Sequence, residues 1–279
     1  NLNARSLVSQ STQVIGLVLP DDSDLFYQNP FFPTVLRGIS RIASEHDYAI
    51  QISTGQDEER RLENIKQMIF GKRVDGLIFL YSKPNDPLVD FAIKNQFPFL
   101  ILGKAVSPFV SLVDNDNIKA GYDATKYFLD QGYKKIAFLA GNKELIVSQD
   151  RFTGYKQALE EAGIPLDENI VKFSFGFLLE DSSYKIMEKM PIQEIEAFVT
   201  SDSMVAEGAL HYLKDIDYRF PIVTFDSIKP RIDVDAYIDI NTLELGRESF
   251  RTLLQIIKDN KDDKHTCYRQ VIPHSILTR

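Results

Sequence analysis

A chain of 279 residues exceeds what one hydrophobic core usually fills, so two lobes are expected rather than one very large domain. Hydrophobic residues make up 44% and charged residues 26%, and no apolar run approaches the ~18 residues that span a bilayer, which excludes a membrane protein and points to an ordinary soluble globular one. A formal net charge of −8 excludes a broad phosphate-binding surface on this chain, because that affinity comes from Lys and Arg displacing counterions.

Taken in order, Val14 to Leu19 is an apolar, strand-like run stopped by Pro20, and the acidic loop DDSDLFYQNP that follows is long enough to reach a cleft. Phe32, Val35, Leu36, Ile39, Ile42 and Ala43 recur at helical spacing, with Pro30 or Pro33 suited to the first turn. A strand over Tyr48 to Ser53 comes next. Asp57, Glu58 and Glu59 favour the start of a helix that carries Leu62, Ile65, Met68 and Ile69 and closes at Gly71. Val74 to Leu80 is a buried strand, Asp86 to Lys94 a short helix, and Phe99 to Leu102 another strand. This alternation with short links calls for a parallel sheet with right-handed crossovers.

After Val110 to Val113, the stretch DNDNIKAGYDATKYFLDQGY gives a polar turn and a helix. The next segment, Lys134 to Pro165, holds a strand over Ile136 to Ala140, a polar loop, and a helix with Phe152, Tyr155, Ala158, Leu159 and Ala162 on one face, stopped by Gly163 and Pro165. Strand and helix pairs follow at Ile170 to Phe173 with Glu180 to Lys189, and at Ala197 to Thr200 with Met204 to Leu213. Ile222 to Phe225 is a strand followed by a loop, Ala236 to Ile240 a strand, Leu243 to Lys258 a long helix, and Tyr268 to Ile272 a last strand before the tail PHSILTR. The alternation runs twice, which fits two similar lobes better than one sheet of about ten strands.

Arg151 is expected in or just before the first turn of its helix, where a cation opposes the helix dipole at a cost of up to about 1 kcal/mol. It has two readings. One is a surface Arg paired with Asp150 or Glu144; the other is a five-donor fork aimed into a cleft at the carboxyl ends of the strands, suited to an oxygen-rich ligand. Asp202 and Asp226 each follow a buried strand directly. An Asp at such a point often caps the next helix, yet one guanidinium and two carboxylates at strand ends also match the hydroxyls of a polyol.

Other chemistries find little support. There is neither a P-loop nor a dinucleotide fingerprint. The run Asp114 to Asn117 departs from a calcium loop at Lys119 and Thr125. His46, His211, His265 and His274 are scattered, so no metal or cofactor is expected. No Ser lies in a nucleophile elbow, which makes an enzyme the weaker class. Cys267 is the only cysteine, so no internal disulfide forms, and a reducing cytoplasm fits.

Several stretches together, NARSL, TQVIGLVLP, NPFFPTVLRGI, VDGLIFL, DNIKAGYDA, GYKKIAFLAG, RFTGY, AFVTSDSMVAEG and VTFDS, resemble the LacI/GalR family of bacterial transcription regulators over nearly the whole chain. LFYQNPFFPTVLRGI with FPFLILGK is similar to the maltose-operon branch of that family. The resemblance implies an α/β fold of two Rossmann-like, periplasmic-binding-protein-like lobes with parallel sheets and three crossovers, near Asp130, Ile240 and Tyr268. It divides the chain into a partial hinge helix over 1–11, an amino-terminal lobe over 12–130 plus 241–267, and a carboxyl-terminal lobe over 131–240 plus 268–279.

By the same resemblance Arg151 is the sugar-contacting Arg, Asp226 the acidic ligand residue, Asp116 the Asp of the family's DN motif, and Asp202 the Asp beside a contact position. Ser201 stands where some members carry Asn. Phe31 and Phe32 match first-loop contacts and Phe177 an aromatic wall, with plain core packing as the alternative for the phenylalanines. Leu7 matches the hinge-helix Leu that enters the minor groove. The implied partners are a maltose-like sugar, a second copy of the chain, and operator DNA met through a helix-turn-helix domain that this sequence does not contain. The alternatives are an exported sugar receptor of the same fold and a sugar-modifying enzyme.

Overall fold

The apolar runs of the sequence become strands and the amphipathic stretches between them become helices. The structure, a computed structural model, describes residues 11–20, 28–55, 57–105, 107–174, 179–225, 232–264 and 266–278. In chain order the elements are β1 (Val14–Val18), α1 (Phe31–Glu45), β2 (Ala49–Ser53), α2 (Glu58–Phe70), β3 (Gly76–Phe79), α3 (Pro87–Lys94), β4 (Phe99–Leu102), β5 (Leu112–Asn115) and α4 (Asn117–Leu129). There follow β6 (Ile136–Ala140), α5 (Ile146–Glu161), β7 (Val171–Phe173), α6 (Leu179–Met187), β8 (Ala197–Thr200), α7 (Ser203–Asp215), β9 (Ile222–Phe225), β10 (Ala236–Asp239), α8 (Thr242–Lys261), β11 (Arg269–Ile272) and β12 (Ser275–Thr278).

The strands form two six-stranded sheets, ordered β11-β5-β4-β3-β1-β2 and β12-β10-β9-β8-β6-β7. Each is doubly wound about its first strand. β1 pairs in parallel with β2 and β3, as β6 does with β7 and β8. The pairing of β12 with β10 departs from the parallel pattern. The segment expected as a tail contains β12, which runs antiparallel to β10 with Ile276 opposite Ile238. Pro273 separates β11 from β12, so the chain leaves one sheet and closes the edge of the other.

The chain divides into two compact units, one reaching to Asp114 and resuming over Thr242–Val271, the other comprising Asn115–Asn241 and the chain from Ile272 onward. The second passage, at Asn241/Thr242, lies beside the expected Ile240, and the third, at Val271/Ile272, lies just beyond Tyr268. The first falls at Asp114/Asn115 and not near Asp130, because α4 packs on α5 of the second unit. A Cβ on Gly121 would stand 2.2 Å from Arg151 O, and one on Gly154 1.9 Å from Ile118 O. Two bare glycines thus let the backbones touch, and the helix that the sequence assigned to the first lobe belongs to the second. Gly38 on α1 and Gly246 on α8 make the same crossing in the first unit, where their Cβ atoms would meet Leu243 O and Val35 O, each at 2.3 Å.

Caps fix where the helices begin. Asp57 Oδ1 accepts from Arg60 N at 2.7 Å, and Asp86 Oδ1 accepts from Leu88 N at 2.7 Å ahead of Pro87, so α2 and α3 start where the sequence indicated. In the second unit the core is aromatic, with Phe138 set 5.1 Å from Tyr155 and 5.4 Å from Phe152 between ring centroids. The Tyr155 hydroxyl donates to Ile136 O at 2.8 Å, and burial pushes its pKa up. Truncating Phe138 to Ala in that core should cost about 3–5 kcal/mol. Among the described residues no helix is long and apolar enough to cross a membrane.

Candidate ligand-binding site

The carboxyl ends of β6, β8 and β9 are the site of interest, since open α/β sheets bind ligands there. Arg151 reaches that edge from α5. The helix starts at Ile146, earlier than expected, with Leu145 at the cap position and no side-chain cap, so Arg151 lies in the second turn. The cost of a cation at the helix start therefore largely lapses, because the dipole effect fades within the first turn.

Arg151 is only 7% exposed, which rules out the surface reading. Its Nε donates to Asn117 Oδ1 at 3.0 Å, Nη1 donates to Ser201 O, and the guanidinium carbon lies 4.0 Å from the centroid of the Phe225 ring. Three elements thus aim one cation: α4 through Asn117, the β8–α7 junction through Ser201, and β9 through Phe225. A planar cation held edge-on by acceptors and face-on by an aromatic ring has little orientational freedom left to lose on binding.

Ser201 and Asp202 brace this arrangement. The Ser201 hydroxyl accepts from Gly141 N at 3.0 Å and donates to Asp202 Oδ2 at 2.8 Å, so its polar atoms are already used within the fold. Asp202 Oδ1 accepts from Val205 N at 2.9 Å and caps α7. Burial pushes the Asp202 carboxyl above its ordinary pKa, against the opposing pull of the hydrogen bonds from Val205 and Ser201 and of the Arg151 charge. Asp116 is exposed and caps α4 through Lys119 N at 2.9 Å. Both aspartates therefore cap helices, as the sequence allowed for Asp202 but did not indicate for Asp116.

Arg151, Ser201 and Asp202 are thus brought together, and Asp116 is next in sequence to the Asn117 that holds Arg151. Phe31 and Phe32 open α1 in the first unit, where Phe32 is buried and their rings meet edge to face at 5.2 Å. Leu7, Phe177 and Asp226 lie outside the described residues. Sequence reasoning missed Asn117 and Phe225. The first sits inside the DNDN run and the second immediately precedes Asp226, so neighbouring signals were present, but neither spacing reveals the contact with Arg151. Among the described residues, no group of three or more His, Cys, Asp or Glu side chains is placed to hold a metal ion.

The family described as periplasmic binding proteins and sugar binding domain of LacI family matches residues 12–215. The HTH-type transcriptional regulator MalR of Streptococcus pneumoniae serotype 4 is 57% identical over 281 residues, a span that takes in 100% of this chain and 85% of that protein. The MalR of Staphylococcus xylosus is 36% identical, with 100% of this chain and 83% of the relative covered. The crystal structure of a LacI transcriptional regulator from Bacillus cereus subsp. cytotoxis superposes with a TM-score of 0.86 at 30% identity, over 95% of this chain and 96% of that one. With the family matched over residues 12–215 and a relative 57% identical along the whole of this chain, the chain belongs to the LacI family and carries that family's periplasmic-binding-protein-like sugar binding domain.

Proposed function

We propose that this chain is the effector-binding and dimerisation part of a sugar-responsive transcriptional repressor, acting in the cytoplasm without enzymatic activity, whose effector is maltose or a related maltooligosaccharide. The observation that carries the proposal is the 57% identity to MalR along the entire chain. The pre-aimed guanidinium of Arg151 supports it, since bidentate donors suit the vicinal oxygens of a sugar. In this reading Arg151 and Asp226 bind sugar hydroxyls directly, Asp116, Ser201 and Asp202 shape the polar wall, and Phe31, Phe32 and Phe177 supply apolar faces for its C–H surface.

The chain works as a homodimer that meets operator DNA through an amino-terminal helix-turn-helix domain, with Leu7 of the hinge helix entering the minor groove. Sugar acts by binding one conformation better than another, and only that difference in affinity shifts the DNA-binding state. Isothermal titration is the direct test, because a chain without Trp gives a poor fluorescence signal. Saturable heat with maltose and none with glucose or ribose is expected. Absence of heat with all three sugars overturns the assignment of the effector.

A further inference from the structure

A line of hydrogen bonds leads from Arg151 to the points where the backbone passes between the two units. Arg151 Nε donates to Asn117 Oδ1 at 3.0 Å. Because that oxygen takes the guanidinium proton, the other end of the amide is the donor, and Asn117 Nδ2 reaches Asn115 O at 3.4 Å. The Asn115 side chain uses both protons of its own amide on backbone carbonyls, Ile240 O at 3.0 Å and Ile272 O at 2.8 Å.

Those three residues flank the three passages. Asn115 follows the first, Ile240 stands just ahead of the second at Asn241/Thr242, and Ile272 follows the third. One side chain thus ties the later two to the earliest. The amides are 7% and 6% exposed at Asn115 and Asn117, so water is a poor substitute if a partner is lost. The residue types suit the geometry. A primary amide gives two protons to two carbonyls at Asn115 without burying a charge, and at Asn117 it both accepts from a guanidinium and donates to a carbonyl.

We propose that Asn117 and Asn115 form a relay coupling Arg151 to the three passages, so that a ligand which shifts the guanidinium changes how tightly the passages are held. The proposal rests on Arg151 being the ligand-facing group, and it adds a positioning residue, Asn117, and a path by which occupancy reaches the connections between units.

Hydrogen exchange of the 279-residue chain, followed by mass spectrometry without ligand, tests the relay directly. In Asn117→Ala, amides over 240–243 and at 271, 272 and 274 should exchange about three- to tenfold faster, while those over 158–163 at the far end of α5 stay unchanged. Asn117→Asp keeps the acceptor for Arg151 but not the donor to Asn115. It should loosen the passages while leaving the Arg151 side in place, and it serves if the Ala variant does not fold. Unchanged exchange at the passages in both variants, or equal acceleration over 158–163, overturns the relay.

A second arm uses maltose. If wild type gives titration heat, saturating maltose should alter exchange at the passages in wild type and fail to do so in Asn117→Asp. An identical response in the two overturns the relay. If wild type gives no heat, the sugar assignment fails and the ligand-free comparison still decides the relay.

Discussion

The guanidinium carbon of Arg151 stands 4.0 Å above the centre of the Phe225 ring, while its Nε and Nη1 donate to acceptors on two other elements. No other side chain satisfies all three contacts. Lys lacks the plane for the ring and the second directed donor. Arg151→Lys should therefore lower stability by about 1–3 kcal/mol in urea titrations, by leaving Asn117 Oδ1 unsatisfied. Arg151→Ala should weaken maltose binding by about 1.5–3 kcal/mol in calorimetry. Unchanged affinity in the Ala variant would reduce the guanidinium to a brace between α4 and β8.

Asp202 gives a pH signature. Burial raises its folded-state pKa, against an unfolded value of about 3.9. Its contribution to stability is thus fully present below about 3.9 and is lost as pH rises through the folded value, with a slope of at most about 1.4 kcal/mol per pH unit. Asp202→Asn keeps a good cap for α7 and removes the titration. Urea midpoints measured from neutral to acid pH should show wild type gaining on Asp202→Asn as pH falls through that window. Asp202→Ala, which loses the cap as well as the carboxyl, should lie about 0.5–2 kcal/mol below Asp202→Asn at any pH. Parallel pH profiles for wild type and the Asn variant would show that the carboxyl does not titrate differently on folding.

Gly154 sits one turn beyond Arg151 on α5, and a methyl there would stand 1.9 Å from Ile118 O and 2.5 Å from Tyr122 N. Helix propensity alone favours Gly154→Ala by about 1 kcal/mol. Two helices cannot part by more than an ångström without strain, and α5 carries Arg151, so overpacking should win. The variant is expected to lose about 1–3 kcal/mol of stability and to weaken maltose binding as the guanidinium leaves Phe225 and Asn117. Gly38→Ala, at the matching crossing in the first unit, should lose comparable stability.

How far the sequence reveals this arrangement depends on range. Ala197–Thr200, Ile222–Phe225 and Phe99–Leu102 are predicted to the residue, because each is a short run of apolar and β-branched residues between polar or turn-forming neighbours. The start of α5 is not, because Leu145 offers no capping side chain to mark it. Asp202 shows its cap through its place after a strand. Asn117 shows nothing of its role, since its partner is 34 residues further along and no local spacing encodes such a bond. The first passage between units escapes for a similar reason. The close approach of Gly121 and Gly154 decides which unit owns α4, and that contact is long-range. Pairing of β12 with β10 is equally non-local.

Asp75, in the VDGLIFL stretch, fixes the segment by which the chain enters the first unit. Its carboxylate accepts from Thr12 N at 2.7 Å, Thr12 Oγ1 at 2.8 Å, Gln13 N at 3.1 Å and the Ser11 hydroxyl. Partial burial by itself raises the Asp75 pKa, but the donors from Ser11, Thr12 and Gln13 together outweigh it and hold the carboxyl below its ordinary value. The stabilisation is accordingly present above about 3.9 and is lost as pH falls through the lower folded value. Since the group is half-buried, Asp75→Ala should cost about 1–3 kcal/mol at neutral pH, and the gap between its urea midpoint and that of wild type should narrow only below about pH 3.9. Amides at Thr12 and Gln13 should exchange faster in the variant. If they do not, residues 11–13 are held by the pairing of β1 with β2, and the carboxylate adds nothing to the path from the amino terminus into the first sheet.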